Sequence, residues 1–289
     1  MLPIKIKEWQ LLLLLACIQF SNILDFVIMM PLSPRLMEVF KISPAEFGFI
    51  VSSYAFSAGI SGILGAFFID RFDRRIALNT CYAGLTLATL LCGVVHTYPL
   101  LVMARIMAGA FGGLTGAIVF AIIGDLIPYE RRGKATGVVM SAFSLASVIG
   151  VPAGLYLAEL FNWNAPFFGL FIFSTIVLGF AHLYTPSVKG HLSTLAKHPL
   201  KTLEILFINK NHLIAFSLIT MMMFGGFSVI PFIAPFLVAN IGLTNTELSY
   251  TYILGGSLTV FTARIIGMLA DKFGKPLVFA IIAFISIIP

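Results

Sequence analysis

The chain has 289 residues, 59% of them hydrophobic and 10% charged, with a mean hydropathy of +1.02. A water-soluble domain carries about 45–50% apolar and about 25% charged residues, so that class is excluded and the composition reads as an all-α membrane protein in a lipid bilayer. The net charge of +6, from 18 basic and 12 acidic residues, would suit nucleic acid if clustered. Instead it lies between apolar runs, which fits a membrane surface and no nucleic-acid partner.

A spanning helix needs about 20 mostly apolar residues. Such runs fall at residues 9–32, 47–69, 76–95, 99–123, 135–159, 165–185, 212–237 and 247–270, and a ninth begins near Pro276. At about 1.5 Å per residue, the stretch from Pro276 to Pro289 is too short to cross. Lys5 and Lys7 before Leu11 resemble the start of a signal peptide. The apolar run continues to Leu32, however, beyond the usual core of about 7–15 residues, which predicts an uncleaved first span. No period-2 alternation supports a β-barrel. The cysteines, Cys17, Cys81 and Cys92, all lie inside apolar runs and form neither a disulfide framework nor a metal-ligand pattern.

Numbering the connections alternately puts 14 Lys and Arg on one side and only Arg35 and Lys41 on the other. The positive-inside rule then places the N-terminus in the cytoplasm of a multi-pass protein of the plasma (inner) membrane. The longest connection, residues 186–211, is cytoplasmic and separates residues 1–185, a six-helix half, from residues 212–289. Within it, residues 200–206 are read either as a short interfacial helix or as plain loop.

An internal repeat is the most informative feature. Gly65-Ala66-Phe67-Phe68-Ile69-Asp70-Arg71-Phe72-Asp73-Arg74-Arg75 follows the second span, and Gly267-Met268-Leu269-Ala270-Asp271-Lys272-Phe273-Gly274-Lys275 follows the eighth. Each puts an acid at a span's end, then a base, Phe, a turn residue and more basic charge. Two parallel halves of this kind are a known transporter architecture. The doubled segment resembles the loop motif of the major facilitator superfamily, G-x-x-x-D-[RK]-x-G-[RK]-[RK]. The second copy matches through Lys275, whereas in the first Ala66 and Asp73 replace motif glycines. Arg105-Ile106-Met107-Ala108-Gly109 and Gly150-Val151-Pro152-Ala153-Gly154 also resemble family motifs, the latter that of the antiporters, with Val151 replacing a glycine.

This resemblance implies a major-facilitator-type helical bundle: a six-helix N-terminal half plus an incomplete C-terminal half, about nine spans where twelve are usual. It implies a secondary transporter that couples proton flow to efflux of a small organic substrate, drug or sugar-like, by alternating access. The proton serves as coupling ion and no cofactor is expected. An uptake symporter of the same fold is the alternative, and a truncated fragment that transports nothing is a third reading. No phosphate-binding loop, H-E-x-x-H or nucleophile elbow occurs, so the chain reads as no enzyme, and its energy comes from an ion gradient.

Ionisable residues inside spans are functional by default. Asp25 lies seven residues before Leu32 and Arg105 six after Pro99 on a span running the other way. At 1.5 Å per residue they sit about 10 Å and about 9 Å below the same face, so they can pair. Asp25 is read as the proton-coupling acid and Arg105 as its partner, against a static ion pair that only fixes packing. Arg264, six residues before Ala270, can reach the surface and is read more weakly. Asp70, Arg71, Arg74 and Asp125, with Asp271 and Lys272 of the second copy, are read by resemblance as a cytoplasmic gate; solvated loop charges are the plainer alternative. Small residues every fourth position, Ala58, Gly62 and Ala66 in span two and Ala142, Ala146, Gly150 and Gly154 in span five, predict close helix approach, joined by Pro152 and Gly267 as packing-motif residues. Gly225, Gly226, Pro231 and Pro235 predict a bend in span seven, where Phe224, Phe227 and Phe232, with Met29 and Met30 from span one, would offer an adaptable apolar wall to substrate.

Overall fold

The computed structural model describes residues 7–190 and 208–285, and among them every regular element is helical. In chain order these are α1 (Glu8–Val27), α2 (Ser33–Phe40), α3 (Pro44–Phe68), α4 (Arg74–Val94), α5 (Tyr98–Leu126), α6 (Tyr129–Leu145), α7 (Val151–Leu160), α8 (Ala165–Tyr184), α9 (Lys210–Phe236), α10 (Asn245–Phe273) and α11 (Lys275–Ile285). A π-helical turn, Ala146–Gly150, welds α6 to α7, and another, Leu237–Ile241, extends α9. Seven of the described spans are long and apolar enough to cross a membrane. The α10 helix has 29 residues, and α11 is short. This is an integral, multi-pass membrane architecture. The short helix read at residues 200–206 lies outside the described residues.

The first span is shorter than its apolar run. Helix α1 ends at Val27 rather than Leu32, and residues 28–32 run in turns. Pro31 accounts for this, since it lacks an N–H and disfavours helical backbone in the residue before it. Asp25 therefore lies two residues from the end of α1. The amphipathic α2 follows; Lys41, at φ 54°, closes it in the left-handed region, and Arg35 donates to the Ala158 carbonyl at the end of α7. Ser43 and Glu46 then form a capping box that starts α3.

Helix α5 packs along α3 and α4, α8 along α4, and α1 against α6 and α8. The closest approach is between α3 and α5. A Cβ at Gly109 would stand 2.2 Å from the Tyr54 carbonyl oxygen, and one at Gly113 2.5 Å from that of Ala58. Close packing thus runs through two α5 glycines that the sequence reading passed over. Gly62, expected to carry it, has nothing within 4 Å of its Cβ position. That corrects the expectation at Gly62. In span five, by contrast, Leu24 lies 2.9 Å from the Gly150 Cβ position and Ile28 lies 2.4 Å from that of Gly154. Pro152 stands in the first turn of α7, directly after the π turn, where a residue without an N–H leaves the ladder one bond short.

Two apolar cores result. One gathers Leu11, Leu15, Leu78, Tyr82, Ile122 and Val139 toward the basic end of the bundle, where Arg74, Arg75 and Arg132 lie. The other gathers Met29, Leu36, Phe47, Leu101, Val151 and Phe167 toward the opposite end. Helices α9 and α10 lean on this bundle through α2, α3, α7 and the adjoining π turn.

Candidate functional site

Between the two cores, α1, α3, α4 and α5 bring four polar side chains together. Asp25 and Arg105 are both fully buried, and Arg105 Nη1 donates to Asp25 Oδ2 at 2.9 Å and to the Asp25 backbone carbonyl at 3.0 Å. Thr89 donates its hydroxyl to Asp25 Oδ1 at 2.7 Å. The Tyr54 ring underlies the guanidinium at 4.4 Å, a contact worth about 2 kcal/mol when desolvated. Taking an ion pair out of water costs several kcal/mol per charge, and such pairs persist where other hydrogen bonds complete them. Here the completion is uneven: each carboxylate oxygen accepts one hydrogen bond, while Arg105 Nε and Nη2 have no hydrogen-bond partner. Removing either charge would leave the other buried and uncompensated.

A second set of groups extends from this pair along α1. Tyr54 Oη donates to Asn22 Oδ1 at 3.2 Å, and Asn22 Nδ2 donates to the Gly112 carbonyl at 3.2 Å. Tyr54 also meets the Phe26 ring at 5.0 Å, and Phe26 meets Phe227 of α9 at 5.5 Å. An aromatic chain therefore links the guanidinium to α9. The depth argument could find Asp25 and Arg105; Thr89, Tyr54 and Asn22 carried no charge to betray them.

At the basic end, Arg74 bridges two acids: its Nη1 reaches Asp70 Oδ1 at 2.6 Å and its Nε reaches Asp125 Oδ2 at 2.8 Å. The Arg74 side chain is only 6% exposed, so the bridge is better shielded than a surface pair. The Asp70–Arg74 contact does not need a continuous helix; α3 stops at Phe68, a 3₁₀ turn covers Ile69–Arg71, and α4 begins at Arg74. Asp73, read as a departure from the motif, has a structural task. It caps α4 by accepting from the Arg75 N–H at 2.9 Å and holds the segment after α8 by accepting from the Val188 N–H at 3.0 Å and the Ser187 hydroxyl. Burial pushes the Asp73 carboxyl up, but the hydrogen bonds from Ser187, Arg75 and Val188, with Lys189 nearby, outweigh it and hold the group below the usual carboxylate range. Arg132 meanwhile covers the end of α5 through the Ile127 and Gly124 carbonyls at 3.0 and 2.6 Å.

The remaining predicted residues divide. Arg71 is exposed, and Lys272 lies over its neighbour Phe273 at 5.3 Å. The surroundings of Arg264, Gly267 and Asp271 lie outside the described residues. Met29 is fully buried within the N-terminal core, which corrects its reading as cavity wall: with residues 28–32 in turns, the side chain is carried inward. Phe224 is 77% exposed on α9, and Phe227, at 39%, faces Phe26. Among the described residues no group of His, Cys, Asp and Glu has a metal-ligand arrangement.

Comparison with known proteins agrees with this architecture. The profile of the Major Facilitator Superfamily matches residues 15–288. Among curated proteins, the MFS-type transporter YceJ of Bacillus subtilis is 25% identical over 254 residues, covering 86% of this chain and 64% of that protein. Multidrug resistance protein 2 of the same organism is 26% identical over 284 residues, covering 92% and 70%. Among solved structures, a bacterial homologue of the human lysosomal transporter Spinster, inward-facing and unoccupied, aligns with a TM-score of 0.74 at 21% identity, covering 92% of this chain and 63% of that one. A D-xylose-proton symporter aligns at 0.70 and 20% identity, covering 90% and 68%. The chain thus spans 64% of the length of YceJ and 63% of that of the Spinster homologue.

Proposed function

The chain belongs to the major facilitator superfamily, and on that premise we propose that it exports a small organic solute in exchange for protons, with Asp25 carrying the proton. The observation that carries this reading is the buried Asp25–Arg105 pair, a titratable couple sealed from water inside a transporter fold. When Asp25 takes a proton its attraction for Arg105 falls, and the guanidinium, stacked on Tyr54, is released from its main anchor. The Tyr54–Phe26–Phe227 contacts pass that change to α9, so proton binding alters how the second half of the chain leans on the first. The basic end faces the cytoplasm of a bacterial-type inner membrane, following the charge asymmetry of the connections. There the Asp70–Arg74–Asp125 bridge acts as a gate that holds α3, α4 and α5 together while that side is closed. Efflux is the favoured direction because a relative over 92% of the chain is a multidrug resistance protein and because the span-five segment resembles the antiporter motif.

The test is flux in proteoliposomes with an imposed pH gradient and a panel of labelled sugars and fluorescent drugs. An acidic lumen should drive accumulation of at least one probe, and Asp25→Asn should abolish the dependence on the gradient. Accumulation only with an alkaline lumen would show symport instead, and gradient-driven flux in Asp25→Asn would remove Asp25 from the mechanism.

A further inference from the structure

Gln19, Asn22 and Phe26 stand at i, i+3 and i+7 on α1 and share one stripe of that helix. At one end of the stripe Phe26 meets Phe227 of α9, while Asn22 and Gln19 turn toward α5. Asn22 is occupied on both atoms, donating to the Gly112 carbonyl and accepting from Tyr54. Gln19 is not: the residue is 8% exposed, and its Oε1 is buried with no hydrogen-bond partner. Opposite it on α5 stands Gly116, where a Cβ would lie 3.5 Å from Asn22 Nδ2 and 3.9 Å from Gln19 Oε1. The glycine leaves both carboxamides uncovered by any side chain from that position. A buried amide oxygen left unmatched is costly to keep, which calls for a partner that comes and goes.

We propose that Gln19 is a specificity-determining residue that hydrogen-bonds a hydroxyl or amide N–H of a neutral polar solute, a polyol or sugar-like molecule, held against α1 and α5 beside the Phe26–Phe227 contact with α9. Phe26 and Phe227 supply the apolar face such a ring packs against, as in ligand sites that combine apolar walls with a few placed polar groups. The one acid on the neighbouring turn, Asp25, is already neutralised by Arg105, so the stripe offers a lipophilic cation no free carboxylate. The assignment rests on the transport reading for its biological role, and binding tests it separately.

The full chain in detergent is titrated calorimetrically with D-glucose, myo-inositol and N-acetylglucosamine, and with tetraphenylphosphonium as the cationic comparison. At least one neutral probe should bind more tightly than the cation, with affinity falling about tenfold in Gln19→Leu and less in Gln19→Asn, which keeps the carboxamide. Gly116→Val, which covers Gln19 Oε1 from the other side, should weaken the same probe and serves as the deciding variant if Gln19→Leu does not fold. Binding of the cation alone, no binding of any neutral probe, or unchanged affinity in these variants overturns the assignment. Binding without gradient-driven flux would remove the transport reading and leave Gln19 in place; flux of a neutral probe indifferent to Gln19 would do the reverse.

Discussion

Replacing Gly109 by Ala adds one methyl group where α5 presses on α3. The new Cβ would meet the Tyr54 carbonyl oxygen and the Ser57 Oγ, each at 2.2 Å. The serine hydroxyl can rotate away, but the carbonyl is backbone, and a relaxed C···O contact is about 3.3 Å or more. The helices must therefore part by about 1 Å along their closest contact, which costs on the order of 3 kcal/mol, the upper part of the overpacking range. Alanine returns about 1 kcal/mol through its higher helix propensity, so the net loss is about 2 kcal/mol. Gly62→Ala makes the same chemical change on α3 where nothing lies within 4 Å, and should gain up to about 1 kcal/mol. The two variants should thus differ by about 3 kcal/mol in unfolding free energy, measured by denaturant titration in one detergent with helical signal as readout. Equal stability of Gly109→Ala and Gly62→Ala would refute the helix-contact geometry on which the site depends, since Tyr54 is also the ring beneath Arg105.

The ion pair itself makes a sharper cycle. Asp25→Asn or Arg105→Gln alone strands a buried partner and should each cost about 3–5 kcal/mol, while the double variant should recover a good part of the loss; additivity of the two would contradict a direct pair. Asp73 predicts an acid limb. Its carboxyl is held below its unfolded value, so its contribution is complete above the unfolded pKa of about 3.9 and is lost as pH falls through the lower folded one. Comparing unfolding midpoints between pH 6 and pH 3, Asp73→Asn should be less stable than wild type at pH 6 and lose less on acidification; parallel curves would exclude the clamp.

The spans were legible because lipid admits only long apolar helices, and the runs mark them within a few residues nearly everywhere. The exception, residues 28–32, is apolar but not helical: hydropathy records burial, and Pro31 decides the backbone. Asp25 and Arg105 were legible for a related reason, since charge inside a span is rare enough to be informative and helical rise fixes depth. Small-residue stripes were less reliable. Spacing in Ala58-x-x-x-Gly62 identifies a smooth face without saying which neighbour meets it, and Gly109-x-x-x-Gly113 carried the same signal on the partner helix. Asp73 reads as a lapse from a glycine motif until the fold brings Ser187 and Val188 to it from 114 and 115 residues away. Met29 misled because an apolar side chain near a cavity-lining span looks the same in sequence whether it faces inward or out.

The account turns on whether Asp25 changes protonation within the folded protein. Infrared difference spectroscopy of the full chain in lipid, stepped through pH, reads that directly as the carbonyl stretch of a protonated carboxyl group. A band should appear in wild type as the pH is lowered and should be missing from Asp25→Asn. The same band in both proteins, or a carboxyl at Asp25 that never titrates while the fold persists, would contradict it.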